Sequence, residues 1–70
     1  MLKPDEIVEK LGELHDAKAK LWESKNQLSM DKRLETVTAL LEASYHIIKE
    51  AESKLNGYLS LRLRENINED

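Results

Sequence analysis

Apolar residues return at seven-residue intervals in the first part of the chain, at Ile7, Leu14, Leu21 and Leu28, and Leu11, Ala17, Val8 and Trp22 widen that stripe on either side. This is the spacing of one face of an α-helix, where residues three, four and seven apart lie above one another. The start is marked as well. Pro4 suits the first helical position because its φ is fixed and its missing N–H would have no partner there, and Asp5 and Glu6 face the positive end of the helix dipole.

A second heptad follows at Leu34, Leu41, Ile48 and Leu55, with Val37, Ser44 and Ala51 at the intermediate positions and Leu40, Tyr45 and Ile47 on the flanks. Its apolar arc spans about 160° at 100° per residue, more than one neighbouring helix covers. Between the two patterns lies Asn26-Gln27-Leu28-Ser29-Met30-Asp31, where Ser29 or Asp31 can cap a new helix. Leu28 to Leu34 is six residues instead of seven, so a single straight helix would swing the two stripes about 120° apart. A turn removes that conflict.

The predicted fold is therefore all-α: an antiparallel helical hairpin with helices over about 4–28 and 31–56, in one domain spanning 1–70. With a turn at Ser29–Met30, Leu11 falls near Ile48, Leu14 near Tyr45 and Leu21 near Val37. The same register sets Lys18 beside Glu42 and Lys25 beside Glu35. After Asn56-Gly57, which can close the second helix, comes Tyr58-Leu59-Ser60-Leu61-Arg62-Leu63-Arg64. We read it as a helical extension to about Asn66, followed by a frayed polar tail from Ile67 to Asp70. In this register the first helix offers Leu59, Leu61 and Leu63 no partner, so they need another surface.

Size sharpens the picture. A chain of 70 residues buries only about 60% of its unfolded surface, and chains this short need a staple or a partner. There is no Cys, which excludes disulfides and thiolate zinc sites. Self-association remains, and the hairpin is expected to dimerise into a four-helix bundle of coiled-coil type. The N-terminal Met1-Leu2-Lys3-Pro4-Asp5-Glu6 lacks the apolar core of a signal peptide, and no apolar run approaches the roughly 18 residues of a membrane span. A cytoplasmic protein is expected.

Chemistry is sparse. His15 and His46 are the two histidines, and neither has a nucleophile, a rigid turn or a Gly-rich loop beside it, so no enzyme, cofactor or catalytic residue is predicted. Glu42, His46 and Glu50 share a helical stripe at four-residue spacing, but on the edge of the apolar arc, where a solvated face accounts for them. His15 lies on the flank of the first helix, where an interface that covered it would bring its titration into use.

The expected activity is that of a small regulatory interaction protein acting through helix–helix association, as an adaptor, an inhibitor or a chaperone-like cover. The partner is a second copy, a higher homo-oligomer or another helical protein. The residues expected to touch it are Trp22, Tyr45, Tyr58, Leu59, Leu61 and Leu63; Trp22 is also placed for contact with Lys18 and Lys25. The alternative is a dimeric hairpin that binds nucleic acid with Lys18, Lys25, Lys32 and Arg33 near its tip. Against it, the net charge is −3 and acidic residues lie among the basic ones.

Overall fold

A computed structural model of the protein describes the backbone of residues 2–68 and the side chains of residues 2–65. Helix α1 spans Pro4–Leu28, a short 3₁₀ turn spans Lys32–Leu34, and helix α2 spans Glu35–Asn68. The described residues are helical apart from the ends and the connection, and α1 packs along α2. The expected hairpin is present.

Helix α1 begins as its sequence dictates. Pro4 occupies the first turn, Asp5 and Glu6 follow it, and the amides of Glu6 and Ile7 donate to the carbonyl of Lys3 at 3.0 and 3.1 Å. Its end is held by Ser29, whose amide donates to Lys25 O at 2.9 Å and whose hydroxyl donates to Asn26 O at 2.8 Å. Asp31 then caps the 3₁₀ turn. Its Oδ1 accepts from the Arg33 amide at 3.0 Å and from Arg33 Nε at 3.1 Å, while Oδ2 accepts from the guanidinium at 2.8 Å.

The Arg33 side chain, and after it the Arg33 amide, hold the Asp31 carboxyl below the usual carboxylate range. A depressed pKa in the fold means stability that is present above the unfolded pKa and lost as pH falls through the folded one. Asp31→Ala is therefore expected to lower the melting temperature slightly near neutral pH. On acidification into the carboxylate range the difference from wild type closes, and thermal melts over a pH series check it.

The buried and half-buried positions run Pro4, Ile7, Leu11, Leu14, Lys18, Leu21, Lys25 and Leu28 on α1, an unbroken alternation of threes and fours. On α2 they run Leu34, Thr38, Leu41, Tyr45, Ile48, Glu52, Leu55, Leu59 and Arg62. The heptad of Leu34, Leu41, Ile48 and Leu55 lies in the seam as expected. The intermediate positions do not. Thr38, Tyr45 and Glu52 take the places assigned to Val37, Ser44 and Ala51, because residues 37 and 38 stand about 100° apart and one neighbouring helix covers only one of them. Val37 and Ala51 are exposed instead, and Ser44, half-buried, turns its hydroxyl to the carbonyl of Leu40 at 2.9 Å.

The register differs from the expected one as well. Trp22, rather than Leu14, meets Tyr45, with ring centroids 4.7 Å apart. Lys18 pairs with Glu52 at 3.0 Å and not with Glu42, Lys25 lies over the Trp22 ring instead of beside Glu35, and Leu11 shares a groove with Asn56. The cause is the connection. The chain reverses through Ser29–Leu34 and not at Ser29–Met30, and each residue of delay moves the facing position by two. The net slip is about one heptad, so seam positions still meet seam positions.

Two consequences follow for the C-terminal part. Helix α2 passes through Asn56-Gly57 without a break, so the expected closure there is absent. The slipped register also carries the turn holding Leu59 to the level of Ile7, which is 0% exposed and the one fully buried side chain among the described residues. Leu59 thus has a place in the seam and is not left without a partner. The expected frayed tail begins inside α2, since Ile67 and Asn68 are helical; Glu69 and Asp70 lie outside the described residues.

The molecule is a rod, 58 Å long and 15 Å across, and two helices of that thickness cannot enclose much. Neither glycine is needed for its conformation: Gly12 and Gly57 have negative φ, and a Cβ at either would meet no other atom within 4 Å. Alanine at each removes unfolded-chain freedom and is expected to stabilise the hairpin by about 0.5–1 kcal/mol. Chemical denaturation of Gly57→Ala checks this. An unchanged or lowered midpoint would contradict the helical continuity claimed at Gly57.

Candidate functional site

Helix α2 carries a second alternation of threes and fours, Val37, Leu40, Ser44, Ile47, Ala51, Lys54, Tyr58 and Leu61. It lies about 110° around the helix from the seam that α1 covers. Unlike the first, it is not covered by α1; among its described members only Ser44 is half-buried. Leu40 is 64% exposed and Ile47 68%, and Val37, Tyr58 and Leu61 are also exposed. Scattered exposed apolar residues need no explanation, whereas a row at helical spacing forms one continuous exposed face. The breadth of the apolar arc foreshadows this stripe, because an arc too wide for one neighbour leaves a second face.

Among the residues expected to meet a partner, Tyr58 and Leu61 belong to this row. Leu59 lies in the seam and Leu63 falls on its opposite flank, exposed, on the side that α1 bears Val8. Tyr45 is half-buried in the seam between Trp22 and Lys18, whose Nζ lies 5.9 Å from the ring centroid, and His46 stands edge-on to it at 5.3 Å. Trp22 keeps part of one edge in solvent, with Lys25 Nζ 4.1 Å from its centroid. That is the cation–π contact its spacing predicts, strengthened by partial removal from water. Val37, Leu40 and Ile47 are not among the residues expected from sequence to meet a partner. The signal for them was the uninterrupted alternation from Val37 to Leu61.

The four cations of the nucleic-acid alternative do not share a surface. Lys18 lies in the seam against Glu52, Lys25 lies on Trp22, Arg33 is held by Asp31, and Lys32 is exposed at the start of the 3₁₀ turn. A phosphate track needs several free cations side by side. Here three of the four already have a partner.

Lys18 and Glu52 form an ion pair whose side chains are 17% and 19% exposed, and Glu52 Oε1 is closed off from water without an aligned hydrogen bond. An open groove of about 410 Å³ beside them is lined by Leu11, Lys18, Lys49, Glu52, Ser53 and Asn56. Such a pair fixes register better than it adds stability, since each charge has lost hydration. Lys18→Ala, which strands Glu52, is expected to cost about 1–3 kcal/mol. The double change Lys18→Leu with Glu52→Leu is expected to melt at or above the wild-type temperature. A double-mutant cycle by denaturation measures both.

His15, Glu42, His46 and Glu50 are exposed, and no group of three or more potential ligands able to hold a metal ion occurs among the described residues. No helix among the described residues is long and apolar enough to cross a membrane. No protein-family model, curated protein or solved structure matches the chain.

Proposed function

We propose that the chain is a small non-enzymatic interaction protein of the cytoplasm, acting by helix–helix association as an adaptor, inhibitor or chaperone-like cover. Its active form is a helical bundle in which other helices complete the hairpin. The observation that carries this reading is the open stripe of α2. A row of exposed Val, Leu, Ile and Tyr side chains at coiled-coil spacing is costly in water and specific in shape, and its natural occupant is the apolar face of another helix. The shortage of buried side chains points the same way, because a rod with one fully enclosed side chain among its described residues has little core of its own.

The test compares the full chain with the double variant Leu40→Glu and Ile47→Glu, both immobilised and exposed to extract of the source cell. The proposed function predicts that wild type retains a helical protein, itself or another, and that the variant loses it. Equal retention by both, or none by either together with a folded monomer, would overturn it.

A further inference from the structure

We propose that the occupant of the open α2 stripe is the same stripe of a second copy, running antiparallel. The inference rests on the association reading above and supplies the partner, the orientation and the register.

The stripe is self-complementary. In an antiparallel pair centred between Ile47 and Ala51, Val37 of one copy faces Leu61 of the other, Leu40 faces Tyr58, Ser44 faces Lys54, and Ile47 faces Ala51. Every apolar residue of the row meets an apolar residue, large ones being set against smaller ones near the two-fold axis. The row has only two polar members, Ser44 and Lys54, and this register sets them opposite each other, where the Lys stem can pass the small Ser and place its ammonium at the edge. A closed two-fold contact of this kind uses one patch twice.

The alternatives each carry a specific penalty. Parallel pairing stacks Lys54 on Lys54 of the other copy, two like charges in a core position. Slipping the antiparallel pair by a heptad brings Lys54 against Val37 in one direction and against Ala51 in the other, and shortens the overlap. A polar residue at a core position commonly specifies register and orientation in this way.

The contact is modest in size. From Val37 to Leu61 the stripe is about 36 Å long at 1.5 Å per residue. With a helix about 10 Å wide, the footprint is roughly 700 Å² over both copies, below the roughly 1,000 Å² that a lasting interface clears and in the range of weak, transient contacts. A contact of that size makes a weak, reversible dimer that comes apart on dilution.

The experiment uses full-length chains, into which single cysteines can be placed without competition because the protein has none. Val37→Cys mixed with Leu61→Cys is expected to give a disulfide-linked dimer under mild oxidation, while Val37→Cys alone stays unlinked, its two copies lying some 36 Å apart. Sedimentation of the unmodified chain is expected to show monomer giving way to dimer as concentration rises, and Leu40→Glu with Ile47→Glu is expected to remove the dimer. Self-linking of Val37→Cys would overturn the orientation, and linking of Val37→Cys to Lys54→Cys in place of Leu61→Cys would overturn the register. A monomer at the highest soluble concentration overturns the inference itself. In that last case, retention of a different helical protein that Leu40→Glu with Ile47→Glu abolishes would leave the association reading standing, and its absence would remove both.

Discussion

Truncation of the chain after Gly57 melts the hairpin. Ile7 is fully enclosed, yet α1 begins only at Pro4, so its cover comes from the stretch of α2 around Leu59. Removing that stretch exposes an Ile side chain worth about 1.5–3 kcal/mol in burial, together with the buried part of Leu59. Domains of this size hold only a few kcal/mol of stability in total. Far-UV circular dichroism of residues 1–57 is therefore expected to show most of the helical signal lost at a temperature where the full chain is folded. An unchanged melting curve would show that α1 and the first half of α2 hold each other without Leu59, against the register described above. This reverses the expectation drawn from sequence, in which the hairpin closes by Gly57 and the remainder serves only association.

The second large effect is expected from Leu41→Asp. Leu41 stands in the seam at the middle of the heptad Leu34, Leu41, Ile48 and Leu55, half-buried against α1. A carboxylate there loses hydration, and the lost Leu burial adds to the penalty. The combined cost is about 3 kcal/mol. Helicity is expected to fall sharply at neutral pH and to recover in part on acidification, when the side chain is neutral. Retention of wild-type melting at neutral pH would remove Leu41 from the core.

The two helices were legible because their causes are local: a proline at the first turn, a capping aspartate, and apolar positions that repeat with the helical period. The six-residue step from Leu28 to Leu34 announced the turn for the same reason. Register was not legible. It depends on where the chain reverses, and a difference of a few residues between a tight turn and the Asp31-capped 3₁₀ turn moves every facing pair by about a heptad while keeping apolar opposite apolar. The Lys18–Glu42 and Lys25–Glu35 pairs looked complementary because Lys18, at a seam position of α1, meets an acid in either register.

The site was half legible. Tyr58 and Leu61 stand out in the sequence because they follow Gly57, beyond the reach of α1 in the expected register, whereas the heptad pattern places Val37 in the seam and Leu40 and Ile47 on its flank. Leu34 can continue its stripe by three residues or by four, and only the position of α1 decides between Val37 and Thr38. Once α1 takes the Thr38, Tyr45, Glu52 and Leu59 side, the other row remains, complete and uncovered.

The central claim is that the hairpin is finished by self-association, the row of one copy against that of a second. The most direct test is the melting temperature of the full chain, followed by circular dichroism over about two decades of concentration. Coupled folding and association predict a melting temperature that climbs steadily with concentration. A cooperative transition at one fixed temperature across the series, with a monomeric mass in sedimentation, would contradict it.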